Sequence, residues 1–293
     1  MRITDAWGAW NRFFFAPAPV ETIACFRIAF GLLLLVEAAY LLVNVNAYLG
    51  PDGLVRYGSY VRESGGRAMS LFLYMPPTTR SVALIMGVHV AAVTSLTIGL
   101  LTPLSALVTF VTLRSIINRN PPITNGGDNV ARIMCFLLIF SPAGHAWSVD
   151  HLLFAGHLGH GGMSAPWAQR LMQIQLSLIY VRAGYWKLRG VTYRRGTALY
   201  YVGANETDGR FPLPRVLLHR QVLRAATWGA LALELALGPG LWIEELRGTF
   251  VALGVLLHLA IEYLVDVHLF GWFMIASLLL FVDPSHLPFL GRG

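Results

Sequence analysis

Leu171-Met172-Gln173-Ile174-Gln175-Leu176-Ser177-Leu178-Ile179-Tyr180-Val181-Arg182-Ala183-Gly184-Tyr185-Trp186-Lys187-Leu188 is a strongly apolar run that ends on a lysine. Its length and composition predict a helix buried in lipid, which places the whole chain among membrane proteins. Lys187 is the single lysine among 22 basic residues, the other 21 being arginines. Arginine stays protonated in essentially any protein setting, whereas lysine can be made neutral by desolvation and then act as a base. Two readings of Lys187 stand at this point. It is a base in a water-poor site, or a cation that snorkels from a helix end to the interface.

The surrounding composition agrees with a membrane chain. Of 293 residues, 56% are hydrophobic and 13% charged, with a mean hydropathy of +0.59. A soluble domain carries about a quarter charged residues. The expected fold class is all-α: a polytopic helical integral membrane bundle. Eight apolar segments lie at roughly 21–43, 82–101, 104–117, 130–143, 168–188, 222–242, 249–265 and 268–282. They predict about eight transmembrane helices, with the third, fourth and eighth short, tilted or half-inserted. Thr102-Pro103 alone separates the second and third segments and predicts a tight helical hairpin.

The expected organisation is an amphipathic interfacial segment over 1–20, a transmembrane domain over 21–285 and a tail over 286–293. Trp7, Trp10, Phe13, Phe14 and Phe15 interleaved with Arg2, Asp5, Asn11 and Arg12 give the first segment its two faces. Neither a cleavable signal peptide nor a second soluble domain is expected. Cys25 and Cys135 both sit in apolar surroundings, so neither a disulfide framework nor a zinc site is expected. The net charge of +7 concerns topology and anionic lipid headgroups rather than nucleic acid.

With eight spans, loops 44–80, 118–129 and 189–220 share one side and hold Arg56, Arg62, Arg67, Arg80, Arg119, Arg189, Arg194, Arg195, Arg210, Arg215 and Arg220. The other side holds Arg2, Arg12, Arg247 and Arg292. The positive-inside rule puts the arginine-rich face, and Lys187 with it, in the cytoplasm.

Ionisable residues within the apolar segments include Arg27, Glu37, His89, Arg114, Asp128, Arg132, Arg182, Glu234, His258, Glu262 and Asp266. Such groups are costly in lipid and usually face a partner or a cavity. Asp128 and Arg132, four residues apart, share a helix face and are expected to pair. His258, Glu262 and Asp266 make a polar stripe on one helix. Arg27 and Glu37 read equally well as a structural pair. His89, alone on its helix, reads better as a hydrogen-bonded core histidine. His145, His151, His157 and His160 read better as members of a Gly-rich loop than as a metal site, because Asp150 is the only carboxylate there. Asn125-Gly126-Gly127-Asp128 predicts a turn opening the fourth segment, with Asp128 near the helix N-terminus. No phosphate-binding loop, nucleophile elbow or paired catalytic carboxylates at a recognisable spacing is present.

Several ordered motifs between about residue 25 and residue 285 resemble the vitamin K-dependent γ-glutamyl carboxylase family and its bacterial relatives, the horizontally transferred transmembrane (HTTM) domain proteins. Phe26-Arg27-Ile28-Ala29-Phe30-Gly31-Leu32-Leu33 is similar to the first-helix signature, and Tyr48-Leu49-Gly50-Pro51-Asp52-Gly53-Leu54 to the segment after it. Asn125-Gly126-Gly127-Asp128 lies where the family has its Asn-rich turn. Trp147-Ser148-Val149-Asp150 matches a family motif. Ile179 to Leu188 matches the segment of the proposed catalytic lysine, and Gly196 a glycine just downstream. His258 and Phe270-Gly271-Trp272-Phe273-Met274-Ile275-Ala276 are similar to the late histidine helix and its successor.

The resemblance implies two coupled reactions. A lysine acts as base on reduced vitamin K, or menaquinone in a bacterium. The quinol anion reacts with O2, and the resulting strong base removes a γ-proton from a peptide glutamate. The carbanion takes up CO2, and the quinone leaves as an epoxide. Lys187, His258 and Asp128 would be the catalytic residues. Asn125, Arg132, Arg182, Trp186, Glu262 and Arg27 would line the quinone and substrate pocket. Trp147, Asp150 and Gly196 would serve structure, and no metal is implied. Gly127 stands where the larger enzymes have a histidine, so His258 or Arg132 would take over its task. The implied setting is a bacterial inner membrane, with the lipid bilayer and a small precursor peptide as partners. The family's active face is lumenal, the opposite of the arginine count, so both orientations stay open. A non-carboxylating protein for maturation, export or immunity of a small peptide toxin is the alternative. A proton-conducting transporter is a weaker third, because no inverted repeat is visible.

Overall fold

The computed structural model describes residues 3–56, 59, 69–203, 209–212 and 214–283. Arg2, Arg62, Arg67, Arg292 and the 286–293 tail of the sequence reading lie outside the described residues. Each of the eight apolar segments coincides with a helix. The principal helices are α1 (Ile3–Phe15), α2 (Glu21–Val43), α3 (Thr79–Ile98), α4 (Thr102–Arg119), α5 (Gly126–Leu138), α6 (Val149–Ala155), α7 (Trp167–Arg189), α8 (Arg220–Gly240), α9 (Arg247–Leu264) and α10 (Phe270–Leu278). Shorter helical turns lie at Val45–Tyr48, Val191–Arg194 and Ala198–Gly203. One antiparallel pair, β1 (Ala18–Pro19) with β2 (Met163–Ser164), is the one sheet among the described residues. The protein is an all-α helical membrane protein. By length and composition, α2, α3 and the stretch Glu244–Leu264 are sufficient to cross a membrane. At 1.5 Å per residue a 23-residue helix such as α2 reaches about 34 Å, slightly more than the hydrocarbon core.

The chain divides into two compact units, Met1–Arg170 and Leu171–Gly293. In the first, α2 packs on α3, α3 on α4 and α4 on α5. A Cβ on Gly31 would run into Thr97, so the glycine lets α2 and α3 approach closely. His89 is buried and its Nδ1 lies 2.8 Å from Thr112 Oγ1, the core histidine that its isolation on the helix suggested. The α3–α4 turn differs from expectation. It is made by Gly99, Leu100 and Leu101, with Gly99 at φ +71° and Leu101 at φ +47°. Thr102 and Pro103 form the first turn of α4, where the missing proline N–H has no partner to lose. The stretch between α5 and α7 is also more structured than a Gly-rich loop. Ser148 Oγ caps α6 by accepting from the His151 N–H at 2.8 Å.

Arg27 and Asp150 tie these pieces together. The Arg27 side chain is fully buried and donates to the carbonyls of Ala143 and Trp147, both at 2.6 Å. Asp150 accepts from Leu101 N at 2.7 Å, Thr102 N at 2.8 Å and Thr102 Oγ1 at 2.7 Å, capping α4 from another segment. The Asp150 N–H in turn donates to the Gly99 carbonyl at 2.9 Å. Leu101 and Trp147 both hold positive φ, a costly conformation for bulky residues that persists only when neighbours over-determine it. Asp150 fixes the first and Arg27 the second. Arg27 therefore does not pair with Glu37. Glu37 is buried on α2 with Asp128 as its charged neighbour.

In the second unit α8 packs on α9 and α9 on α10. Gln173 Nε2 donates to the Leu280 carbonyl at 2.6 Å, and Trp242 Nε1 to Ser177 Oγ at 2.9 Å, so α7 is also anchored within this unit.

Arg27→Leu removes the donor from two buried carbonyls and releases Trp147. Hydrogen bonds from charged groups contribute about 1.5–3 kcal/mol each, so the expected destabilisation exceeds about 3 kcal/mol. Arg27→Lys should recover only part of it, since an ammonium does not match the guanidinium fork. Thermal unfolding in detergent reads both, and an unchanged midpoint for Arg27→Leu would remove Arg27 from this role.

Candidate functional site

Helices α7 and α8 approach closely because both present small residues at their contact. A Cβ on Gly184 would meet Leu235 Cδ2 at 2.5 Å, and one on Gly238 would meet Val181 Cγ2 at 2.6 Å. Lys187 is one turn beyond Gly184, and Glu234 one turn before Gly238. The close approach brings these two side chains together, and Lys187 Nζ donates to Glu234 Oε1. Glu234 is buried, whereas the Lys187 side chain is 30% exposed and also lies over the Tyr193 ring, 5.6 Å from its centroid. Lys187 is thus neither a solvent-facing snorkel nor an isolated amine. It is one half of a partly buried acid–base pair.

A second hydrogen bond lies beside the first. Tyr180 Oη and His258 Nε2 are 2.9 Å apart, and both residues are buried. Tyr180 precedes Lys187 by seven residues, two helical turns, and so shares its face of α7. The charge of Lys187 reaches His258, and that of Glu234 reaches Tyr180. Four polar side chains from α7, α8 and α9 therefore form one cluster in an apolar setting, with the Phe270 ring edge-on to His258 at 5.9 Å. Two buried atoms of this cluster, Glu234 Oε2 and His258 Nδ1, have no hydrogen-bond partner among the described residues. Other buried atoms of described residues are left so too, Arg27 Nε and Glu37 Oε2 among them, but Glu234 Oε2 and His258 Nδ1 belong to groups that can exchange a proton. Whichever tautomer His258 adopts, Nδ1 is available to an oxygen or hydroxyl of a bound molecule.

The other residues singled out from sequence make contacts of their own. Glu262 is buried on α9, accepting from Gly271 N at 2.9 Å and from Arg210 at 3.1 Å. Arg210 also donates to Asp266 at 2.7 Å. That hydrogen bond holds the Asp266 carboxyl below, and the Arg210 guanidinium above, their ordinary ranges. The stripe of His258, Glu262 and Asp266 is thus divided between the cluster and a tether for residues near Arg210. Arg182 and Trp186 face outward on α7, Trp186 being 57% exposed. Arg182, five residues before Lys187, is turned about 140° away around the helix. Gly196 holds φ +68° against Arg224 and Trp228.

In the first unit, Asn125 and Asp128 open α5 as a capping box. Asn125 Oδ1 accepts from Gly127 N and Asp128 Oδ2 from Asn125 N, both at 2.6 Å. The expected Asp128–Arg132 pair does not form. Capping turns Asp128 back to the preceding turn, and Arg132 donates to Asn129 Oδ1 at 3.1 Å instead. Arg27, Trp147 and Asp150 form the tie described above. Among the described residues no three His, Cys, Asp or Glu side chains converge as a metal site requires. Sequence reasoning missed Glu234 and Tyr180 as partners. The available signals were a lone carboxylate in the apolar Leu231-Ala232-Leu233-Glu234-Leu235 and the seven-residue spacing from Tyr180 to Lys187.

Removing one member of a buried ion pair strands the other. Lys187→Met should cost about 1–3 kcal/mol, the penalty for an unsatisfied buried group. The double variant Lys187→Met/Glu234→Leu should cost less than Lys187→Met alone. Thermal unfolding of the four proteins of the cycle measures this, and strict additivity would show that the two groups do not interact.

The HTTM domain profile matches residues 15–286. No solved structure matches the chain. With nearly its whole length covered, the chain belongs to the HTTM domain family, the domain of the vitamin K-dependent γ-carboxylase family.

Proposed function

We propose that this protein is a membrane-embedded, quinol-dependent carboxylase-like enzyme in which Lys187 is the base. The observation that carries this reading is the Lys187–Glu234 pair beside Tyr180 and His258, with two buried polar atoms left unpartnered. Reduced vitamin K or menaquinone, when bound, supplies the reducing power that O2 consumes to make a base strong enough for a glutamate γ-carbon. A quinol hydroxyl fits the unpartnered atoms: it is an oxygen that both donates and accepts, on an otherwise apolar ring.

The residues divide the work as follows. The proton that Nζ of Lys187 donates lies towards Oε1 of Glu234. Its transfer along that bond leaves an amine with a free lone pair, ready to take the quinol proton. His258, oriented through Nε2 by Tyr180, presents Nδ1 to the second polar atom of the ligand. Glu234, Tyr180 and His258 are buried among the apolar residues of α7, α8 and α9, which strengthens their interactions. Arg27, Asn125, Asp128 and Arg132 are read as supports of the first unit, consistent with the bonds they make. CO2 and a glutamate of a small precursor peptide complete the proposed reaction. Eight spans, an interfacial segment over 1–20 and a bacterial inner membrane complete the proposed setting. Trp7 and Trp10 on α1, exposed beside Arg12, support the interfacial segment.

The test is a single-turnover assay of purified protein in detergent with reduced menaquinone or vitamin K, O2, labelled bicarbonate and a Glu-containing peptide. Quinone epoxide and labelled peptide should both form. A positioned general base contributes about 10²–10⁴-fold, so Lys187→Ala and Lys187→Arg should each lose at least about 100-fold in epoxide. Glu234→Gln, which keeps the hydrogen bond but cannot take the proton, should fall substantially as well. No epoxide from the wild type under any condition would overturn the carboxylase reading in favour of maturation, export or immunity of a small peptide toxin.

A further inference from the structure

A pocket in the Leu171–Gly293 unit is lined by none of the four residues of the lysine cluster. It has a volume of about 520 Å³ and is lined by Arg195, Thr197, Tyr200, Arg220, Leu223 and Arg224, among others. Three arginines line one small space, with no carboxylate among the described lining residues. Arg220 and Arg224 are four residues apart and share a face of α8. Both belong to its first turns, where Arg220 is the first helical residue and no acidic side chain is present. The positive end of a helix dipole disfavours cations and favours anions, so this placement is unfavourable unless an anion joins it.

Arg224 is also held in place. Arg224 lies 5.2 Å from the centroid of the Trp228 ring, and Trp228 Nε1 donates to the Tyr193 carbonyl at 3.1 Å. Gly196, at φ +68°, leaves room for both, because a Cβ there would lie 3.1 Å from Trp228 Cε2 and 3.2 Å from Arg224 Cβ. Arg224 Nε is buried and has no hydrogen-bond partner among the described residues. The rim is apolar and aromatic. Tyr200 and Leu218 in the lining, and Tyr201 and Trp228 next to lining residues, are all exposed, as in the aromatic belts that meet the headgroup level.

We infer that this pocket binds the phosphate of an anionic glycerophospholipid, held by Arg195, Arg220 and Arg224, with the acyl chains against the aromatic and leucine rim. Planar guanidinium groups match phosphate oxygens in pairs, and the mixed lining fits a molecule charged at one end and apolar at the other. The inference stands apart from the quinol reading, because none of these residues belongs to the Lys187 cluster.

Native mass spectrometry and thermal unfolding of the full protein in detergent test it with four probes: phosphatidylglycerol, phosphatidylcholine, inorganic phosphate and a polyglutamate peptide. The wild type should retain one phosphatidylglycerol and prefer it to phosphatidylcholine, with each arginine contributing roughly five-fold. The triple variant Arg195→Gln/Arg220→Gln/Arg224→Gln should lose that preference, and the triple lysine variant should keep much of it. Should the glutamine triple fail to fold, Arg220→Gln alone, outside the Trp228 stack, should lose roughly five-fold. Equal retention of the two lipids, or a preference untouched by the glutamine variants, overturns the inference. Stabilisation by inorganic phosphate equal to that by phosphatidylglycerol, or binding of the peptide in its place, overturns the lipid assignment.

Discussion

A polar group drawn into an apolar helix has to be partnered within the fold, since lipid offers it nothing. Arg27 shows what this constraint builds. Its guanidinium is fully buried and can be satisfied only by carbonyls that regular structure leaves free. Those carbonyls are at Ala143 and Trp147, in the turn before α6. Holding them forces Trp147 to a positive φ and brings Ser148 and Asp150 to the α3–α4 turn. One buried cation thereby orders three segments that are far apart in sequence.

The same constraint, met differently, makes the candidate site. Glu234 is a lone carboxylate in the apolar stretch of α8, and Lys187 is the cation that reaches it. Unlike Arg27, this pair can exchange its proton, because lysine has a neutral form and arginine does not. The glycines at 184 and 238 set the distance. Tyr180 and His258 add a second hydrogen bond, yet one atom of Glu234 and one of His258 remain unpartnered. Arg27 Nε and Glu37 Oε2 of the first unit are also buried without a hydrogen-bond partner among the described residues, so what sets this cluster apart is the exchangeable proton between Lys187 and Glu234.

Much of the fold is legible in the chain because hydropathy is read over long windows. The segment expected at 168–188 is the helix Trp167–Arg189, and the one expected at 21–43 is Glu21–Val43. The Asn125 turn is legible too, because a capping box is local. Pairings are not. Spacing allowed Asp128 to meet Arg132, but the cap competed for the carboxylate and won. Proline drew the hairpin turn to Thr102-Pro103, although the glycine and the left-handed leucine just before it make the bend. Glu234 lies 47 residues from Lys187, and nothing local in either helix announces the other. Only the cost of leaving each alone in lipid does, and that cost names no partner.

The central claim is that the Lys187 amine takes the quinol proton. Chemical rescue tests it most directly. Quinone epoxide is followed in single turnover for Lys187→Ala, with and without small primary amines of graded basicity. The account predicts epoxide formation that is lost in the variant and returns with added amine, more strongly as the amine becomes more basic. Epoxide formation by Lys187→Ala at the wild-type rate, with no amine present, would contradict it.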